Sequence, residues 1–257
     1  MPRFAANLSM MFNDVPFMDR FAAARAAGFG AVEFLFPYEH PAESIGAELR
    51  RHGLEQALFN LPPGDWNAGE RGMASLAGRE AEFRESVDTA LHYAAATGVK
   101  RLHMMAGKAP RDAAHLARYA EAIRFAADKA GEAGIDILLE PLNRRDMPGY
   151  LLDDYDFAAE FIAGLGLANV KLQFDIYHCQ ILHGDVTMRM RQFLPLIGHV
   201  QIASVPARNE PMSEELNDAF LFAELDRLGY AGYTGCEYRP KSGTEAGLGW
   251  FAPWRAA

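Results

Sequence analysis

Eight short apolar or β-branched runs recur along the 257 residues of the chain, separated by longer stretches with helical periodicity. The strand candidates are residues 4–9 (FAANLS), 31–36 (AVEFLF), 54–60 (LEQALFN), 99–105 (VKRLHMM), 135–140 (IDILLE), 170–175 (VKLQFD), 199–203 (HVQIA) and 233–238 (YTGCEY). Helix-period segments 17–27, 42–52, 79–97, 113–133, 157–165, 185–194 and 213–228 lie between them. Most of these run into a glycine (Gly28, Gly53, Gly98, Gly134, Gly166, Gly229), the residue suited to a left-handed helix cap. Strand followed by helix, repeated, implies a parallel sheet, because parallel neighbours need a crossover connection. Eight such units in about 250 residues is the size of a closed barrel. The main rival, an open doubly wound sheet, normally has fewer strands and a glycine-rich first turn. The first turn here, SMMFNDVPF, contains no glycine. With no Pro/Ser/Gly linker dividing it, the chain is expected to form one α/β domain over residues 1–257, a single (β/α)8 TIM barrel.

Charge and cysteine usage narrow the function classes. The formal net charge is −9 and no basic run occurs, so nucleic acid, which needs clustered Lys and Arg, is not an expected partner. Cys179 and Cys236 are too few for a disulfide framework and form no CxxC. The N-terminal stretch is broken by Asn7, Ser9, Asn13 and Asp14, and no segment approaches the roughly 18 apolar residues of a spanning helix. The expectation is a cytoplasmic protein without membrane contact. Its oligomeric state is left open, a homo-oligomer included.

In a barrel the loops that follow strands build the active face. Three such connections are long or polar: residues 60–78, carrying Trp66, Glu70 and Arg71; residues 141–152; and residues 204–217. The first is a candidate lid. Four successive strands also finish on an oxygen-bearing side chain: Glu140 in ILLE, Asp175 in LQFD, Gln201 in HVQIA and Glu237 in GCEY. A lone strand-end carboxylate is ordinarily a helix cap or a salt-bridge partner. Four on consecutive strands converge on one point of a barrel, where burial demands pairing or a cation. Three carboxylates and an amide oxygen form a hard donor set, favouring Mg²⁺ or Mn²⁺ over zinc.

Around these lie His178, in the loop after Asp175, Asp146, six residues after Glu140, and Arg208, seven after Gln201. Arg208 either grips an anionic substrate group or pairs with Glu210 at the surface. His103 is equally readable as a core histidine, and the cysteines receive no role. Two carboxylates and a cation suit proton transfer next to a carbonyl. No GxGxxG, Walker or GxSxG motif points to a nucleotide cofactor or a serine nucleophile.

At these residues the chain resembles the hydroxypyruvate isomerase family of the xylose-isomerase-like barrels. The resemblance runs through PRFAANLSMMF, ALFNLPPGDWNAGERG, RLHMMAG, EPLNRRDMPGY, LQFDIYHCQ, HVQIASVPARNEP, GCEYRP and GTEAGLGW. It implies interconversion of hydroxypyruvate and tartronate semialdehyde through an enediolate, in carbohydrate and glyoxylate metabolism. It also implies Glu140 and Glu237 as the acid/base pair, with a divalent cation held by Glu140, Asp175, Gln201 and Glu237. His178 and Arg208 fall where relatives contact substrate oxygens, and Asp146 where some sugar epimerases carry an acid. The chain departs from the pattern at Cys179, at Asn209 and over residues 212–214, close to Arg208. That leaves 2-oxo-tetronate, with one more hydroxymethine unit, as the alternative substrate. Three other readings are a sugar epimerase or lyase, an abasic-DNA endonuclease and a non-catalytic sugar-acid binder. The second needs a His-rich zinc site and a basic face, and the third has no use for both glutamates.

Overall fold

The computed structural model describes residues 1–255, so the last two residues of the expected domain lie outside it. Strands β1 (Arg3–Asn7), β2 (Ala31–Glu33), β3 (Glu55–Asn60), β4 (Arg101–His103), β5 (Asp136–Leu139), β6 (Val170–Asp175), β7 (Ile197–Ile202) and β8 (Tyr233–Cys236) close into one barrel in sequence order. Every neighbouring pair is parallel, and β8 closes on β1 through pairs such as Ala6 with Cys236. The (β/α)8 expectation is therefore met. Several strands are shorter than their apolar runs, since the ladder stops where the chain turns away towards the mouth. Glu140 and Glu237 each lie one residue past a strand.

The outer layer consists of α1 (Arg20–Ala26), α2 (Ala42–His52), α3 (Glu80–Thr97), α4 (Ala113–Glu132), α5 (Tyr155–Leu165), α6 (Ile176–Leu182), α7 (Val186–Phe193), α8 (Asp218–Arg227) and α9 (Thr244–Gly247). The sixth connection differs from expectation. Asp175 ends β6 and caps α6 at once, its Oδ1 accepting from the Tyr177 amide at 2.8 Å. His178 thus sits on a helix, not in a loop, and the segment expected over 185–194 forms only the second helix, α7. The helix expected from residue 213 starts at Asp218. Ser213 and Glu214 instead fold back, Ser213 onto the Glu210 carbonyl and Glu214 onto the Ala207 amide. A C-terminal 3-10 segment, Leu248–Trp254, was not anticipated; its Phe251 stacks on Phe29 at 4.2 Å and closes the core beside Phe4. Among the described residues no helix is long and apolar enough to cross a membrane.

Alternation along each strand divides the side chains. Outward residues such as Val32, Leu102, Ile137, Leu139, Leu172, Phe174, Val200 and Ile202 join the main apolar core against the helices. The barrel interior is built differently, from the small residues Ala5, Ala31 and Ala57 and from buried polar groups: Asn7, Glu33, Gln173, His199 and Gln201. The fold therefore spends its hydrophobic burial outside the sheet, and the inside carries polar atoms upward to the mouth.

Candidate active site

Glu140, Asp175 and Glu237 meet at the C-terminal mouth, all three buried. Arg208, itself only 7% exposed, lies among them: its Nη2 is 2.9 Å from Glu237 Oε1 and 3.6 Å from Asp175 Oδ2. The guanidinium also lies over the Tyr177 ring at 4.8 Å. Arg208 is thus not a surface partner of Glu210, which accepts from the Lys241 amide instead. Its backbone takes a left-handed φ of 58°, held by the Arg239 amide on its carbonyl at 2.7 Å. For a non-glycine residue that conformation costs about 1–2 kcal/mol, so the loop after β7 stores strain to aim this side chain.

One guanidinium does not balance three buried carboxylates. Burial, and then repulsion from Glu237 and Asp175, pushes the Glu140 carboxyl well above the usual range. Burial raises Glu237 to about 8 and Asp175 to about 6, with Arg208 opposing both shifts. Glu140 Oε1 and Asp175 Oδ2 are buried without a hydrogen-bond partner. Such groups ask for a cation or for substrate protons. Asp175 therefore fills both roles that its sequence position allowed, one oxygen capping α6 and the other facing the site.

Two histidines complete the floor. His178 Nδ1 accepts from the Asn143 amide at 3.0 Å, with Asn143 Nδ2 at 2.8 Å. Burial and Arg208 hold its pKa well below the ordinary value. The ring is therefore neutral with its proton on Nε2, which points at Asp175 Oδ2 at 3.6 Å. His178 offers the site an N–H donor. His103, left undecided by the sequence, places Nε2 3.6 Å from Glu140 Oε2 with no hydrogen-bond partner. Burial lowers its pKa to about 3, so this contact is no ion pair.

Asp146 sits further out at the mouth. Its Oδ2 accepts from Tyr177 Oη at 2.8 Å and from Asn143 Nδ2 at 3.1 Å. Asn143 and Tyr177 escaped sequence reasoning although each stands beside a residue already singled out, in EPLN and DIYH. Gln201 lies deeper than the carboxylates it was grouped with: Nε2 donates to Glu33 Oε1 at 2.9 Å, and Oε1 accepts from Gln173 Nε2 at 2.6 Å. Glu33 and His199 were also missed. The signal was available, since Glu33 interrupts AVEFLF as Glu140 interrupts its own run, and His199 shares a strand face with Gln201. The connection over residues 60–78 is pinned internally. Glu70 pairs with Arg79 at 2.5 Å, and Arg71 lies 3.6 Å over the Trp66 ring, itself packed on Phe36. At Gly72 a Cβ would meet the Met105 backbone, so only glycine lets the loop lie this close.

The donor atoms fit a hard divalent cation. Glu140, Asp175 and His178 bring candidate ligand atoms within 4.8 Å of one another. The His178 tautomer withdraws that ring from ligation, while the two carboxylates each offer an unpartnered oxygen. Gln201 Oε1 keeps a second lone pair. Glu237 is engaged by Arg208 and lies outside that cluster.

Residues 21–254 match the family described as xylose isomerase-like TIM barrel. The chain is 56% identical to the 2-oxo-tetronate isomerase of Cupriavidus necator, covering 99% of each chain. It is 44% identical to the hydroxypyruvate isomerase of Escherichia coli K12, covering 99% of this chain and 100% of that one. The crystal structure of AP endonuclease, family 2 from Brucella melitensis superposes with a TM-score of 0.96 at 52% identity, covering 99% of this chain and 100% of that one. The chain thus belongs to the hydroxypyruvate isomerase family within the xylose isomerase-like TIM barrels, and it is an isomerase.

Proposed function

We propose that the chain transposes a carbonyl between C2 and C3 of a short 2-oxo-3-hydroxy acid, giving the 2-hydroxy-3-oxo isomer through an enediolate. The observation that carries this reading is the pair Glu140 and Glu237, two carboxyls buried at one mouth, where burial pushes Glu140 well above the usual carboxylate range and Glu237 up to about 8. One ionised member removes the proton from C3 and a protonated member delivers one to C2, while the hydroxyl proton passes from O3 to O2 across the enediolate. Arg208 receives the substrate carboxylate, and His178 donates its Nε2–H to a substrate oxygen. Asp146, held by Tyr177 and Asn143, meets the far hydroxyl end.

A Mg²⁺ or Mn²⁺ ion would be held in this reading by Glu140, Asp175 and Gln201, with Glu237 joining them only when Arg208, which now engages it, turns to the substrate carboxylate. When bound, it supplies positive charge next to the oxygens on which charge develops. No nucleotide cofactor enters.

Of the two substrates, 2-oxo-tetronate is favoured over hydroxypyruvate, the first expectation from sequence, because the relative at 56% identity carries that name and the one at 44% the other. Hydroxypyruvate is the second reading, and its turnover would tie the chain to glyoxylate metabolism. The name of the Brucella structure raises abasic-DNA cleavage. A net charge of −9 and a mouth lined with carboxylates speak against a DNA backbone there. The test is kcat/KM for each acid with purified protein. A preference of about tenfold or more for the four-carbon acid is expected, the discrimination one extra contacted group provides. The opposite preference reverses the order of substrates, and no turnover of either sinks the reading.

A further inference from the structure

Below the mouth, the last residue of β2 is a carboxylate with no exposure at all. Glu33 Oε1 accepts from Asn7 Nδ2 at 3.0 Å and from Gln201 Nε2 at 2.9 Å, and Oε2 from His199 Nε2 at 2.7 Å. Gly235, across on β8, makes the room, since a Cβ there would land on the Glu33 carboxylate. Burying an anion this deeply costs several kcal/mol, and an apolar residue of similar volume would ordinarily serve stability as well or better. Filling the barrel therefore does not explain a carboxylate at this position.

What a carboxylate does that a leucine cannot is choose between the two ends of an amide. Gln201 can present either nitrogen or oxygen to β2. Glu33 already accepts from Asn7 and His199, so towards it only the Gln201 nitrogen is tolerated; the flipped amide would set oxygen against oxygen. Gln201 Oε1 is then turned towards β6, where Gln173 Nε2 meets it at 2.6 Å and where Asp175 is the register partner of Gln201. Asn7 and His199 hold the carboxylate from its other sides, so Glu33 itself has nowhere to swing.

We propose that Glu33 is a positioning residue of the active site: it locks the Gln201 amide with its oxygen on the β6 side, beside Asp175, where it serves as a cation ligand. This rests on the cation reading above. Outer partners of metal ligands act in this way, fixing the orientation of the donor atom, and their loss typically costs about 10–100-fold in metal affinity.

The experiment is calorimetric titration of Mn²⁺ into EDTA-treated protein, with a thermal melt of each variant to verify folding. Glu33→Gln should bind Mn²⁺ about 10–100-fold more weakly than the unmodified protein, because the amide at 201 is no longer held. Glu33→Asp keeps the charge but is too short to hold the amide at 201, so it should weaken binding as well; a role through charge alone would leave its affinity unchanged. Unchanged Mn²⁺ affinity in Glu33→Gln overturns the proposal and leaves the cation reading standing. Failure of the unmodified protein to bind Mn²⁺ removes that reading and the proposal with it. If Glu33→Gln does not fold, Glu33→Asp decides alone: weakened Mn²⁺ binding in the folded variant supports the lock, while unchanged binding or loss of folding overturns it.

Discussion

Replacing Gly235 with alanine adds a single methyl group at the most crowded point of the barrel interior. The new Cβ would occupy the place of the Glu33 carboxylate, with backbone of β8 on one side and the Asn7, Gln201 and His199 donors on the other. The carboxylate cannot step aside without losing at least two of its three hydrogen bonds. Bonds to a charged group contribute about 1.5–3 kcal/mol each, and inserting a methyl into a packed interior costs about 1–3 kcal/mol where the neighbours cannot move. Some of the second term is relieved by breaking the first, so the net loss is about 4–6 kcal/mol. For a chain of this size that lowers the melting midpoint by about 10–20 °C. Differential scanning calorimetry reads it directly. A double-mutant cycle locates the cause: in a Glu33→Ala background, where the space is empty, Gly235→Ala should cost less than about 1 kcal/mol. A midpoint within about 3 °C of the unmodified protein, or an equal loss in both backgrounds, refutes the claim that Gly235 exists to seat Glu33.

Three other perturbations probe the mouth and the surface. Glu140→Gln and Glu237→Gln should each lower kcat by about 10²–10⁴ with the fold intact, as expected for a lost proton-transfer group; near-normal turnover in either would remove the two-carboxylate mechanism. Arg208→Ala should raise KM for an anionic substrate more than it lowers kcat, and an unchanged KM in steady-state assays would free Arg208 from carboxylate recognition. On the outer layer, hydrogen bonds from Arg191 and then Arg227 hold the Glu224 carboxyl down to about 2. A carboxyl depressed in the folded state stabilises above its ordinary pKa near 4.5 and loses that contribution as pH falls towards 2. Melting of the unmodified protein should thus fall more steeply over that window than melting of Arg191→Ala/Arg227→Ala, and parallel curves would contradict the assignment.

The parts of this architecture that the sequence made legible are those governed by local chemistry. Apolar runs and glycine caps marked all eight strands and most helices, because a buried parallel strand and a helix end each restrict residue type at a single position. Residues 170–175 and 42–52 came out with correct bounds. Helix α6 stayed hidden because its start is dictated by one side chain, Asp175, doing two things at once. The carboxylates Glu140, Asp175 and Glu237 were readable, since a charge after an apolar run is costly wherever it goes. The next layer was not. Asn143 fixes the His178 tautomer and Glu33 fixes the Gln201 amide across separations of 35 and 168 residues, and nothing local announces either pairing. Arg208 illustrates the same limit: its charge suggested a substrate anion, but only the folded chain shows it buried between Glu237 and Asp175.

Proton transfer between C3 and C2 is most directly tested by proton NMR of the purified protein with 2-oxo-tetronate, and in parallel hydroxypyruvate, in D2O. The spectra should be taken before and after EDTA treatment, and again on adding Mg²⁺ or Mn²⁺. The product should be the 2-hydroxy-3-oxo acid carrying deuterium at C2, with activity lost on EDTA treatment and restored by the cation. Product formed with no solvent deuterium at C2, or no product from either acid, would contradict the enediolate mechanism built on Glu140 and Glu237.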